Sequence, residues 1–482
     1  MQKKINYCLA PVLFCIILSV KSVFEKYGFN LQQVQVIALV VWMVLWWSSD
    51  IVPNAITALL PLVLLPIFGI TTLLDASKFY SNPIIFLFMG GFFIALAMEK
   101  YNLHIRISLR LLLITGINTN GIVLGFLIAT SFLSMWISNT AAVLMMLPIA
   151  VSIIKILEEN KPLGANDRDY SNFRTTLLLT LAYSSSLGGI ATIIGTPPNV
   201  IYAGFLRQYT GFEISFLQWM LVGLPFSIAM LTVLFLLFTK VLFVSKLKNI
   251  ASSKDVIKTE LDKLGKMGKP EKLVSIIFVI AVFLWVLHSQ INKYVFDSKI
   301  FNDTNISIIA GIIMFITPIN LSEGKFLLSW SDTKKLPWGI LLLFGGGLCL
   351  AHALELTKVI EMLIHRIPLT TISFSALLVI FIVCTMFTTE VMSNVTASLI
   401  YLPIAFVIVK QLNLNPLYFT IPIVISSSCA FWFPIGTPPN AIVFSSNMIT
   451  IKHMVKSGIC LSIVAIILIF ILAHTLLPIV FN

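Results

Sequence analysis

The run LSMWISNTAAVLMMLPIA at 133–150 contains a polar turn, Ser138-Asn139-Thr140, in the middle of apolar sequence. A near copy, TTEVMSNVTASLIYLPIA at 388–405, places Ser393-Asn394-Val395 at the matching point. Each copy is followed by a second shared motif, Gly-Thr-Pro-Pro-Asn, at 195–199 and at 436–440. Polar interruptions are costly in an apolar environment, and their repetition therefore indicates a ligand site.

The composition around these motifs is that of a membrane protein. Of 482 residues, 58% are hydrophobic and 11% are charged, and the mean hydropathy is +0.99. A soluble domain has roughly a quarter charged residues. The apolar runs are about 20 residues long, as expected for helices that pair their own backbone groups in lipid. The sequence therefore predicts an all-α integral membrane protein.

The formal net charge of +12 does not indicate nucleic acid as a partner. The lysines and arginines are spread over the segments between apolar runs, as the positive-inside rule predicts. Eight lysines lie between Lys246 and Lys272, in a polar stretch that we expect in the cytoplasm with the N-terminus. We expect the chain in a bacterial plasma membrane.

The apolar runs predict about 11 transmembrane helices and two re-entrant hairpins. The N-terminal region includes a predicted span at 51–70, and the hairpins are predicted at 120–157 and 371–410, with the polar turns at their tips. Two further spans are interrupted by the Gly-Thr-Pro-Pro-Asn motifs, at 175–210 and 415–450. Non-helical backbone at membrane depth is tolerated only inside protein or beside a watery cavity.

The two halves are predicted to be inverted repeats. Phe88, Gly90, Gly91 and Glu99 match Phe344, Gly346, Gly347 and Glu355 at a constant shift of 256 residues. An odd number of predicted crossings separates these segments, which places the repeats in opposite directions. Inverted repeats with broken helices at mid-membrane are typical of secondary transporters.

The predicted boundaries follow from this repeat. They are N-terminal scaffold helices at 1–82, a first inverted repeat at 83–245, a cytoplasmic lysine-rich linker at 246–272, linking helices at 273–337, and a second inverted repeat at 338–482.

The polar breaks suit two kinds of ligand. Carbonyls and Ser, Thr or Asn oxygens can bind a small hard cation, whereas the N–H groups that begin a helix suit an anion. A simpler interpretation is that Ser and Asn only cap the second arm of each hairpin. Two matched copies make a functional interpretation the better one.

Ionisable residues within the apolar runs are further candidates. Glu390, four residues before Asn394, is either a proton relay or a structural hydrogen-bond acceptor. Glu99 and Glu355 lie at span ends, where we expect them to be solvated.

The paired Ser-Asn tips and the Gly-Thr-Pro-Pro breaks resemble the divalent-anion/sodium symporter family, which includes sodium-coupled dicarboxylate and citrate carriers. The resemblance covers nearly the whole chain and implies a homodimer that moves its substrate by an elevator mechanism. It also implies two sodium sites: Ser134, Ser138, Asn139 and Gly195 for the first, and Thr389, Met392, Asn394 and Gly436 for the second. The implied substrate-binding residues are Asn139, Thr140, Thr196, Ser393, Asn394, Val395, Thr437 and Pro438.

Two details bear on this assignment. Ser134 and Thr389 each precede the tip serine by four residues, about one helical turn, which predicts hydroxyls facing the tip. Val395 departs from the Thr that dicarboxylate carriers of the family often have, although Val also occurs in citrate carriers.

The sequence thus predicts a sodium-coupled symporter of C4-dicarboxylates (succinate, malate, fumarate) or citrate, with Na⁺ as the co-transported ion and no organic cofactor. A sodium-independent exchanger and a sulfate carrier remain open. A hydrolase is disfavoured, because neither tip serine has a nearby His or Lys. A channel is disfavoured by the inverted repeats.

Overall fold

The computed structural model describes residues 2–49, 51–116, 118–159, 161, 166–247, 251–296, 298, 300–364 and 371–481, with the side chains of 2–7 and 251–253 left aside. The described chain is mostly helical. The helices of its first half are α1 (Gln2–Ser19), α2 (Lys21–Lys26), α3 (Leu31–Ser49), α4 (Asn54–Thr57), α5 (Leu60–Ile67), α6 (Leu73–Lys78), α7 (Pro83–Lys100), α8 (Leu103–Ile114), α9 (Thr119–Ser134), α10 (Asn139–Glu159), α11 (Asp167–Ile190), α12 (Pro197–Thr210) and α13 (Phe216–Leu236).

The second half repeats the pattern of a long helix, a helical hairpin and a broken helix. Its helices are α14 (Ala251–Lys263), α15 (Lys269–Ile291), α16 (Asp303–Ile316), α17 (Trp338–Thr357), α18 (Val359–Ile364), α19 (Phe374–Val391), α20 (Asn394–Gln411), α21 (Pro416–Ser427), α22 (Pro438–Phe444), α23 (Ile451–His474) and α24 (Leu476–Phe481). Two short strands, β1 (Pro318–Asn320) and β2 (Lys325–Phe326), pair antiparallel. This small hairpin is absent from the all-α prediction, because a two-residue strand leaves no periodic signal.

The long helices carry the apolar surface that a bilayer requires. In α23, Ile463, Ile467 and Ile471 are exposed at four-residue spacing, while Ala465 and Ile469 are buried on the opposite side. Residues four apart share one face of a helix, and this face would contact lipid. Within the described residues, nine helices are long and apolar enough to cross a membrane.

The predicted span at 51–70 is not one continuous helix. In the structure it consists of two short helices, α4 and α5, separated by a turn at Ala58 and Leu59. Pro53, Pro61 and Pro66 punctuate this segment. Proline lacks a backbone N–H and clashes with the preceding turn, which favours short helices over one continuous helix.

The lysine-rich linker contains a helix that packs against the first repeat. Helix α14 contacts α8 and α10. Beside it, Arg106 of α8 makes a bidentate ion pair with Glu271 of α15, at 2.5 and 3.1 Å, and both side chains are buried. Arg106 also donates to the carbonyl of Gly265 at 2.9 Å. We call this end of the molecule, which carries Lys100, Arg106, Glu271 and Asp332, the linker face.

Helices α7 and α17 run antiparallel through the centre. Lys100 at the end of α7 forms an ion pair at 2.8 Å with Asp332, which precedes α17. Midway along, the rings of Phe88 and Phe344 lie 5.4 Å apart. The two repeats also pack crosswise, because α10 contacts α22 and α12 contacts α20. Each hairpin therefore lies against the broken helix of the other half.

Candidate functional site: a cavity between two hairpin tips

The tip of each hairpin is closed by a serine cap. Helix α9 ends at Ser134 and α10 begins at Asn139, and the Ser138 hydroxyl accepts the N–H of Ala141 at 3.2 Å. In the second hairpin the Ser393 hydroxyl accepts the N–H of Thr396, also at 3.2 Å. Each serine thus satisfies one free N–H group at the start of its second arm. Because serine makes the cap, the side chains of Asn139 and Asn394 are available for other contacts.

Both tip asparagines point back towards the first arm. Ser134 Oγ donates to Asn139 Oδ1 at 2.5 Å, and Thr389 Oγ1 donates to Asn394 Oδ1 at 2.8 Å. Both hydroxyl residues are fully buried. The four-residue spacing from each hydroxyl to the tip serine predicts a hydroxyl that faces the tip, and in both repeats the structure places that hydroxyl against the tip asparagine.

The two breaks are held by the asparagine that ends each Gly-Thr-Pro-Pro-Asn motif. Asn199 Nδ2 donates to the carbonyl of Thr192 at 2.8 Å and to that of Gly189 at 3.2 Å. Asn440 Nδ2 donates to the carbonyls of Ala430 and Phe433, both at 3.2 Å. Each amide closes the non-helical loop that precedes its own helix, so both breaks have a fixed shape.

Two glycines let the first break approach the first tip. A Cβ on Gly195 would lie 2.5 Å from the carbonyl oxygen of Gly189 and 3.0 Å from that of Ser134. A Cβ on Gly189 would lie 2.6 Å from Asn139 Oδ1. These separations exclude any side chain, and several backbone and side-chain oxygens therefore converge at one point. Ser134, Asn139 and Gly195 of the predicted first sodium site are brought together here.

The second break binds a buried carboxylate, that of Glu390 on the hairpin arm α19. Glu390 Oε1 accepts the N–H of Phe431 at 2.7 Å, and Oε2 accepts the N–H of Trp432 at 2.8 Å and that of Phe433 at 3.4 Å. A Cβ on Gly436 would lie 3.4 Å from Glu390 Oε2. The structural hydrogen-bond role considered for Glu390 is thus observed. Thr389 Oγ1 adds a contact to the carbonyl of Ser427 at 2.6 Å.

One cavity of about 560 Å³ lies between the two tips and the two breaks. All eight predicted substrate-binding residues line it: Asn139, Thr140, Thr196, Ser393, Asn394, Val395, Thr437 and Pro438. Ser138, Gly195 and Gly436 also line it. Ser134 and Thr389 are outside this lining and fully buried, and Met392, which directly follows α19, is outside it too. The predicted sodium residues therefore lie partly on the cavity wall and partly outside it.

Four helices begin at the cavity wall. They are α10 at Asn139, α12 at Pro197, α20 at Asn394 and the short α22 at Pro438. The N-terminus of a helix carries unpaired N–H groups and about half a positive charge. Because no lysine or arginine belongs to the motifs, these helix ends are the positive groups nearest to the tips, and they favour an anionic ligand.

The sequence analysis missed two charged residues of the cavity. Glu99, expected to be solvated, is half-buried and lines the cavity, and Lys335 lines it near the linker face. No motif includes either residue. Their shared position depends on the packing of α7 against the segment before α17, which no local pattern reveals.

Comparison with known proteins places this chain in a family. The family model described as sodium:sulfate symporter transmembrane region matches residues 2–481. A protein of Staphylococcus saprophyticus named sodium-dependent dicarboxylate transporter SdcS is 36% identical over 477 residues, covering 98% of this chain and 91% of that protein. The protein of the same name in Staphylococcus aureus strain USA300 is 38% identical over 478 residues, covering 99% and 91%. The chain belongs to the sodium:sulfate symporter family, the divalent-anion/sodium symporters that its paired motifs resemble.

Proposed function

We propose that this chain is a sodium-coupled symporter that imports C4-dicarboxylates such as succinate, malate and fumarate. The observation that carries the proposal is the single cavity between two matched hairpin tips, with oxygen clusters behind it and helix N-termini facing it. The two staphylococcal relatives, whose names state sodium dependence and dicarboxylate transport, support it.

The substrate would bind with one carboxylate at each tip. Asn139 and Thr140 offer an amide and a hydroxyl on one side, and Ser393 and Asn394 offer the same groups on the other. Both pairs line the cavity. An amide can donate two hydrogen bonds and a hydroxyl one. A dicarboxylate has two anionic ends, and this pair of donor sets matches it.

Sodium ions would bind behind the substrate, at the oxygen clusters of the two tips. The first would use Ser134, Ser138, Asn139 and the backbone of Gly195. The second would use Thr389, Met392, Asn394 and the backbone of Gly436. Hard cations prefer such hydroxyl, amide and carbonyl oxygens. The positive charge of bound Na⁺ would offset the two negative charges of the substrate and couple their transport.

Alternating access would follow from the inverted repeats. The antiparallel arrangement of the matching helices α7 and α17 supports such an inversion. The cavity is lined by α7 from Phe88 to Glu99 and by Lys335, and it is therefore open towards the linker face. At the other end of α7, Asp303 Oδ2 accepts the N–H of Phe216 at 2.7 Å, which joins α16 to α13. An elevator movement would release such contacts and expose the cavity on the other side.

We also propose a homodimer in a bacterial plasma membrane, with the N-terminus and the lysine-rich linker in the cytoplasm. The positive charge of the linker supports this orientation. Native mass spectrometry would test the dimer. Trypsin cleavage of the linker in right-side-out and inverted vesicles would test the orientation.

Uptake into proteoliposomes tests the proposed function. Labelled succinate should accumulate with an inward Na⁺ gradient and not with choline in its place. Unlabelled malate and fumarate should compete, and citrate and sulfate should compete less. Equal uptake in Na⁺ and choline would disprove sodium coupling. Uptake that requires internal dicarboxylate and ignores Na⁺ would identify an exchanger, and stronger competition by sulfate would identify an inorganic anion carrier.

A further inference from the structure

The cavity lining contains two ionisable side chains among the described residues, Glu99 and Lys335. Both lie at the end that opens to the linker face. The remaining lining residues are apolar or neutral, and the tips have no charged side chain of their own. An anion that enters or leaves through this opening passes these two charges, one attractive and one repulsive.

The position of Lys335 is fixed by the turn that it ends. The 3₁₀ turn Trp330–Lys335 begins after Ser329, whose N–H donates to Asp332 Oδ2 at 2.8 Å. The indole N–H of Trp338 donates to the carbonyl of Thr333 at 2.9 Å. These bonds tie the turn to the start of α17. The backbone of Lys335 is therefore held at the opening, and its exposed side chain extends from that point.

The charge of Lys335 forms no ion pair among the described residues, although the Glu99 carboxyl on the same wall lies near enough to interact with it electrostatically. The nearest carboxylate in the sequence, Asp332, is bound to Lys100 at 2.8 Å. Burial opposes ionisation of Asp332, but the Lys100 ammonium and the Ser329 N–H outweigh it and hold the pKa of that carboxyl below its usual value. Among the described residues, no carboxylate lies within 4.0 Å of the Lys335 ammonium.

We propose that Lys335 is the residue that attracts carboxylate substrates at the linker-face opening of the cavity, and that Glu99 opposes it and promotes release. This inference rests on the proposed function and adds a substrate-guiding residue outside the binding motifs. Clefts with apolar walls concentrate the field of a charge. A dianion feels this field twice as strongly as a monoanion. Lys335 therefore favours dicarboxylates over monocarboxylates before the substrate contacts the tips.

Lys334 is a matched control. It has the same charge, lies next in the chain and is exposed, but it does not line the cavity. Lys335→Gln removes the charge in the opening, Lys335→Arg keeps it, and Lys334→Gln removes a charge that solvent screens. Glu99→Gln removes the opposing charge. Comparison of these four variants separates the effect of where the charge lies from the effect of the net charge of the protein.

Stopped-flow binding to the purified full-length protein in detergent tests the proposal. Trp136 lines the cavity, and its fluorescence can report succinate binding at saturating Na⁺. Lys335→Gln should slow succinate association about tenfold in low choline chloride, the lower end of the range for electrostatic steering. Lys334→Gln should change it by less than about twofold, because its charge lies outside the cavity, where ions in solution screen it. Lys335→Arg should restore the wild-type rate, and Glu99→Gln should raise it.

Salt and substrate charge provide two further readouts. Raising choline chloride should reduce the difference between wild type and Lys335→Gln, since ions screen this interaction. Acetate, if it binds, should be affected less than succinate.

The inference is overturned if Lys335→Gln and Lys334→Gln associate with succinate at equal rates, or if Lys335→Arg is as slow as Lys335→Gln. Absence of succinate binding to the wild-type protein would overturn the proposed function itself. Normal wild-type binding with an unaffected Lys335→Gln would overturn this inference alone.

Discussion

The two hairpin tips share one plan and differ in how each is joined to its broken helix. Both have a serine cap, a buried hydroxyl bound to the tip asparagine, and a break closed by a second asparagine. In the first repeat, Thr192 of the break donates to the carbonyl of Met135 in the tip at 2.6 Å. In the second, Glu390, which stands at the position that matches Met135, accepts three N–H groups of the break.

In both repeats the break donates and the hairpin accepts, but the partner that contributes the side chain is exchanged. The break supplies the side chain in the first repeat, and the hairpin supplies it in the second. The first connection is neutral, whereas the second places a carboxylate near Gly436 of the proposed second sodium site. A charged acceptor makes stronger hydrogen bonds than a neutral one. The two tips therefore share one arrangement of groups, and the connections make them unequal in charge.

Substitution of the asparagines common to both tips should have the largest effect on Na⁺ binding. Asn139→Ala and Asn394→Ala should each abolish the stabilisation of the protein by Na⁺, because each removes an amide oxygen at one of the proposed cation sites. Thermal unfolding in detergent, with and without Na⁺, measures this, since a ligand that binds the folded state raises its stability. Asn320→Ala, in the β1–β2 hairpin, is the control. Retained Na⁺ responses in both tip variants would contradict the sodium sites.

The tips were predictable from the sequence because their chemistry is local. A repeated Ser-Asn turn and a repeated proline motif predict breaks at fixed points, and all eight residues chosen for substrate binding line the cavity. The four-residue spacing of Ser134 and Thr389 from the tip serines was enough to predict hydroxyls that face the tips, whereas their bonds to Asn139 and Asn394 emerged only in the structure.

What the sequence could not show depends on distant packing. Glu390 was recognised as a buried carboxylate, but its partners Phe431–Phe433 lie some forty residues away and donate backbone N–H groups, which have no sequence signature. Lys335 enters the cavity only because the segment before α17 is bound to the end of α7. The break between α4 and α5 within 51–70 was not predicted, because hydropathy alone does not register the prolines of this segment.

Loss of the charged connection of the second tip, made by Glu390, should have the next largest effect. Glu390→Gln should lower the free energy of unfolding by about 2 kcal/mol, as expected when charge-assisted bonds to buried N–H groups are lost. It should also weaken the Na⁺ response more than any change to the first connection. Chemical unfolding in detergent micelles over a range of Na⁺ concentrations measures both effects. A Glu390→Gln protein as stable and as responsive as wild type would show that the carboxylate is dispensable.

The neutral connection of the first tip should matter less. Thr192→Val keeps the shape of the side chain and removes its bond to Met135, which should cost about 1 kcal/mol. Thr180→Val is the matched control, because the buried Thr180 hydroxyl on α11 has no hydrogen-bond partner among the described residues. The same unfolding measurement compares the two. If Thr192→Val destabilised the protein as much as Glu390→Gln, the proposed inequality of the two connections would be wrong.

The smallest effect should come from the pair that faces the substrate, Thr140 and Val395. Val395→Thr adds a hydroxyl to the second side of the cavity and should tighten succinate binding by about two- to tenfold, the equivalent of one hydrogen bond. Thr140→Val should weaken it by a similar factor. Competition between succinate and citrate for uptake measures the preference, and Thr385→Val, which removes a buried α19 hydroxyl that lies outside the cavity lining and has no hydrogen-bond partner among the described residues, is the control. Opposite shifts from the two substitutions would show that this one pair decides which carboxylate is preferred, whereas shifts in the same direction would mean that substrate size is read elsewhere on the wall.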